Sequence, residues 1–131
     1  MIPAPRMEEA AVSELIDKIE TPYARWVEVI SKLCEPEVEP RYRRAHRRYP
    51  CNGEIKVWLT VDDCATRQTW AMTQVSSEGI SAIAPNEVPE LVRVTIQWIQ
   101  EHETIILKGR VRHCTQTIGG YKVGVQLSFS E

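Results

Sequence analysis

"GEIKVWLTV", residues 53–61, decides how this chain is read. Ile55, Val57, Leu59 and Val61 alternate with Lys56, Trp58 and Thr60, so apolar side chains recur at every second residue. A strand sends alternate side chains to opposite faces, whereas a helix with this pattern would scatter them around its cylinder. The stretch therefore reads as a strand with one face in a core. The same period returns in "RQTWAMTQV" (67–75), "GISAIAP" (79–85), "LVRVTIQWI" (91–99), "ETIILKGRVRHC" (103–114) and "YKVGVQLSF" (121–129). "DDCAT", "QEHE" and "TIGG" read as turns between strands, and Pro85 stops the third. In the last strand Tyr121, Val123, Val125, Leu127 and Phe129 share one face. Six short alternating strands separated by turns make a mainly β chain, an antiparallel barrel or sandwich.

Upstream the period changes to that of a helix. Val12, Leu15, Ile16 and Ile19 fall on one helical face, and Tyr23, Trp26, Val27, Ile30 and Leu33 make a second stripe. Thr21-Pro22 interrupts this helical region of 7–34, with threonine suited to an N-cap and proline to the first position of a second helix, so an αα-hairpin and one kinked helix are both open. "EPEVEP" (35–40) is a solvated linker. The expected organisation is a helical extension and acidic linker over 1–40, then a β-domain over 41–131. Residues 7–40 carry nine acids and three bases, whereas residues 41–48 carry five arginines and no acid.

The 131 residues have a net charge of -2 and are 43% hydrophobic, enough for one packed domain. No apolar run reaches the roughly 18 residues of a membrane helix. The N-terminus also lacks a signal-peptide pattern, so a cytoplasmic protein without membrane insertion is expected. Cys34, Cys51, Cys64 and Cys114 form no CxxC pair, which implies free thiols and no metal site. No nucleophile–base pairing at short range suggests catalysis, and no cofactor is expected.

The arginine run "RYRRAHRRYP" (41–50) admits three readings: a solvated arm, a nucleic-acid patch, or a grip for a compact anion. Trp58, Trp70 and Trp98 could stack on bases. However, residues 49–131 hold nine acids and seven lysines and arginines, and a groove that tracks a nucleic-acid backbone needs positive charge spread over the sheet. The expectation is no nucleic acid. Arginine's planar fork instead matches phosphate or the O6/N7 edge of guanine, and it stacks on aromatic faces. The facing half of such a site is "QVSSEG" (74–79), where Ser76 and Ser77 are short donors. Gly79 there permits either a close backbone approach or a positive φ.

Taken together, these stretches resemble the PilZ domain, the bacterial receptor module for cyclic di-GMP. The family pattern is RxxxR near the domain start, then (D/N)xSxxG after the second strand. "RAHRR" supplies the first as Arg44 and Arg48, with Pro50 placed as the proline that leads into the first strand; Arg43 and Arg47 form a second frame. "GRVRHC…GGYKVGVQLSF" resembles the family's last two strands, and the likeness spans residues 41–130. It implies a six-stranded antiparallel barrel of PilZ type, preceded by the helical segment. It also implies a receptor or adaptor that binds cyclic di-GMP through Arg43, Arg44, Arg48, Gln74, Ser76, Gly79 and His113. In that reading Arg44 and Arg48 grip phosphate and guanine, Arg43 adds a contact, Ser76 and Gly79 form the floor, and His113 stacks on a base. Gln74 departs from the pattern, which has Asp or Asn there. A mispositioned acceptor costs about 1–3 kcal/mol, or roughly ten- to a hundred-fold in affinity. The alternative is a PilZ-fold interaction module with a degenerate site. The arginine run would order around the ligand and move the N-terminal helices, which would serve a protein partner or self-association. Glu35, Glu37 and Glu39 would pair with the arginines when ligand is absent.

Overall fold

A computed structural model describes residues 20–33, 48–100 and 103–129. The first helix expected, the acidic linker and most of the arginine run lie outside these residues. The described elements are a helix α1 (Tyr23–Leu33) and strands β1 (Arg48–Val61), β2 (Cys64–Ser76), β3 (Gly79–Ala84), β4 (Arg93–Ile99), β5 (Thr104–Thr117) and β6 (Gly120–Ser128). All strand pairs are antiparallel, and the order β1-β2-β3-β6-β5-β4 closes into a barrel. Closure removes the exposed sheet edges that invite aggregation.

The core is the inward row of each strand: Ile55, Val57 and Leu59 of β1, Trp70 and Met72 of β2, Ile80 and Ala82 of β3, Val94, Ile96 and Trp98 of β4, Ile105, Leu107 and Val111 of β5, and Val123, Val125 and Leu127 of β6. Two of the three tryptophans expected as stacking platforms are thus core residues, Trp70 at 1% and Trp98 at 6% exposure; only Trp58 points outward. The alternation explains the difference. Trp58 shares the parity of Lys56 and Thr60, whereas Trp98 shares that of Val94 and Ile96.

Strand limits shift modestly. Asp62 and Asp63 alone make the β1–β2 turn, both with positive φ, so "CAT" belongs to β2. The "TIGG" hairpin is present, with φ of 88° at Gly119 and 154° at Gly120, backbone that glycine adopts without a Cβ clash.

Helix α1 begins where the Thr21-Pro22 pair places it, and Trp26 N donates to Pro22 O at 2.9 Å. Thr21 has another task than capping. Its N–H donates to Ile106 O (2.8 Å), and its Oγ1 accepts from Ile106 N (2.9 Å). β6 ends opposite Lys108, so Thr21 replaces the missing ladder partner of Ile106. From this anchor α1 buries Trp26, Val29 and Ile30 in the barrel core. Arg25 forms a two-pronged ion pair with Glu103. Tyr23 meets Phe129 edge-to-face at 5.1 Å, and Trp26 meets Trp98 likewise at 6.3 Å.

Candidate functional site

Gln74, Ser76, Gly79 and His113 line one open pocket of about 420 Å³. That size lies within the range of small-molecule sites. Strand order brings the four together. β3 and β5 both pair with β6, where Ser81 and His113 each oppose Gly124. β2 meets β3 through Gln74 opposite Ser81. Arg43 and Arg44 lie outside the described residues. The backbone of Arg48 opens β1 and pairs with Ser76, so the chain enters the barrel beside the serine-glycine turn.

Hydrogen bonds within that turn fix its shape. Ser76 Oγ accepts from Glu78 N (3.3 Å) and donates to Gly79 O (3.5 Å), while Leu127 N donates to Glu78 O (2.8 Å) and ties the turn to β6. The two serine bonds are long, so the hydroxyl can rotate towards a ligand at small cost. Of the two uses open to Gly79, the geometry takes the close approach. A Cβ there would lie 2.8 Å from Val125 O, and its φ is not among the positive ones.

Adjacent strand residues normally face opposite ways, yet Arg112 and His113 both line the pocket. A bulge in β5 between Val111 and His113 resolves this, for the extra residue re-aims one side chain. The His113 ring lies over Gly124, in the space that a Cβ at 124 would fill. Arg112 Nη1 donates to Gln126 Oε1 at 2.5 Å on the same wall. The sequence reading missed Arg112, Gln126, Gly124 and Glu78. Strict alternation puts Arg112 and His113 on opposite faces, and no residue type in "GRVRHC" announces the bulge.

The pocket's charged groups are Arg112 and Glu78, with amides from Gln74 and Gln126 and hydroxyls from Ser76 and Ser81. This set suits a ligand that carries both an anion and hydrogen-bond donors. Among the described residues no group of His, Cys, Asp or Glu is arranged to hold a metal ion. Cys51 is buried, Cys114 half-buried and Cys64 exposed. Among the described residues no helix is long and apolar enough to cross a membrane.

A family model described as the PilZ domain matches residues 42–131, more than half of the sequence. This chain belongs to the PilZ domain family. PilZ domains are receptor and adaptor domains, not enzymes. The barrel of this PilZ protein is similar to the PilZ domain with c-di-GMP of YcgR from Escherichia coli, at a TM-score of 0.51 and 11% identity. The match covers 66% of this chain and 78% of that one. It is also similar to the Bacillus subtilis inhibitor of motility (MotI/DgrA), at a TM-score of 0.50 and 17% identity, over 72% of this chain and 50% of that one. At these identities the likeness is one of fold. No curated protein sequence matches the chain.

Proposed function

We propose that this PilZ protein is a receptor for cyclic di-GMP, with the ligand held between the pocket and the arginine run. The observation that carries this reading is the pocket that Gln74, Ser76 and Gly79 line, with the first residue of β1, Arg48, in register with Ser76. Arg44 and Arg48 grip phosphate and guanine, and Arg43 adds a contact. His113 offers a ring face, and Arg112 adds a cation that the family motifs do not include. Ordering of the arginine run around the ligand supplies the signal. Trp26 Nε1 donates to Ser76 O at 3.0 Å, so the serine-glycine turn touches α1 directly. A ligand that shifts this turn shifts the helix with it, and that movement presents the N-terminal segment to a partner. The second reading, an interaction module with a degenerate site, is favoured by one observation: Gln74 stands in place of Asp or Asn.

Calorimetric titration with cyclic di-GMP separates the two. The wild type binds in the micromolar range, and Arg44→Ala/Arg48→Ala loses at least about tenfold in affinity. Absence of binding by the folded wild type selects the interaction module.

A further inference from the structure

The bases and acids of the barrel are segregated. Among the described residues, Glu54 is the one acid on a strand; Asp62, Asp63, Glu78, Glu87, Glu90 and Glu103 occupy turns and connections. The bases instead lie on strands and converge on the outer wall. Trp58 opposes Arg67 on β2 and Thr95 on β4, and Thr95 opposes Lys108 on β5. One row on, Arg93 of β4 directly opposes Arg110 of β5, and both are exposed. Opposed residues point to the same side, so these form one face, with neutral threonine between them. Among the described residues no carboxylate pairs with Arg67, Arg93 or Arg110. Like charges directly opposed across a ladder are unfavourable by themselves. The composition of the strand region had argued against such a spread of charge, and the pairing register creates it.

We infer that this basic face is the docking surface for the chain's own N-terminal segment, residues 7–19. The described chain starts at Glu20, and Thr21 is pinned to the backbone of Ile106 at the edge of β5, the strand that carries Lys108 and Arg110. Glu20 is therefore held beside a strand that bounds the face. The segment's charge is complementary, with Glu8, Glu9, Glu14 and Asp17 against Lys18. Its apolar stripe, Val12, Leu15, Ile16 and Ile19, matches the half-buried Trp58 in the middle of the wall. Thirteen residues in helical form reach about 20 Å, and four strands at spacings of about 4.8 Å span about 14 Å, so the segment can cross from β5 to β2. A single-stranded nucleic acid fits less well, because stacking needs successive outward aromatics and Trp70 and Trp98 are buried.

The test is a charge swap in the full-length chain, read by amide hydrogen exchange of residues 7–19. Arg93→Glu/Arg110→Glu keeps two like charges opposed, so repulsion within the face is unchanged and only its sign towards the segment reverses. This variant, and separately Glu14→Lys/Asp17→Lys, should speed exchange in residues 7–19 at least about tenfold. Combining all four should restore most of the protection, and raising salt from about 0.05 to about 0.5 M should weaken wild-type protection. Unchanged exchange in either pair, or no rescue in the combined variant, overturns the inference. Protection that rises with protein concentration assigns the contact to a second copy, and salt-sensitive wild-type binding of a labelled oligo-dT that Arg93→Glu/Arg110→Glu abolishes assigns the face to nucleic acid; either result also overturns it.

Discussion

Gln74 is where the chain departs from the motif it otherwise follows, and the structure gives that departure a setting. The residue sits next to a bulge in β2 and opposes Pro50 on one side and Ser81 on the other. Its amide therefore enters the pocket from a fixed strand position, and the extra methylene has no backbone freedom to absorb it. Gln74→Asp should tighten cyclic di-GMP binding by about tenfold, the gain of one charge-assisted hydrogen bond. Calorimetry measures it. Equal or weaker binding would show that Gln74 is adapted to this pocket and not a compromise. The residue scale also shows the reach of motif reading. Ser76 and Gly79 were legible because a tight polar turn needs such residues. Arg112 was not, because a single inserted residue in β5 decides where it points.

At the scale of elements, α1 is held by contacts of different character. Thr21 completes a ladder, Trp26, Val29 and Ile30 supply apolar burial, and Arg25 clasps Glu103. The Arg25 guanidinium holds the Glu103 carboxyl below its ordinary value of 4.5, with burial opposing the shift. A depressed carboxyl pKa means that the folded state favours the ionised form. Its contribution is thus fully present above the ordinary value and is lost as pH falls through the depressed one. Glu103→Gln should therefore lower the thermal midpoint slightly at neutral pH, the effect being modest for a solvent-exposed pair. The gap between variant and wild type should close as the solution is acidified below the ordinary carboxyl range. A gap that persists or widens in acid would show that the clasp contributes through packing and not through charge. The start of this helix was readable from Thr21-Pro22. The use of the Thr21 hydroxyl was not, since it depends on where β6 stops.

At the scale of the whole molecule, the described residues form a closed barrel with a helix built into its core. Trp26 is fully buried, meets Trp98 edge-to-face and donates to Ser76 O. Loss of a buried tryptophan costs about 3–5 kcal/mol, so Trp26→Ala should lower the stability of the barrel itself. Calorimetric melting should show one transition, moved to lower temperature. A barrel transition left at the wild-type temperature would mean that the helix is an appendage. Trp26 thus links the core to the serine-glycine turn that lines the pocket.

The sequence by itself determined the strands, an antiparallel barrel or sandwich, the second helix and the serine-glycine turn. These follow from local periodicity and turn chemistry, which the chain carries in neighbouring residues. Only the tertiary structure decided that Arg112 joins His113, and that Arg93 stands opposite Arg110. Those facts depend on pairing register and bulges between strands remote in sequence, where one residue of slip reverses the face of every side chain beyond it.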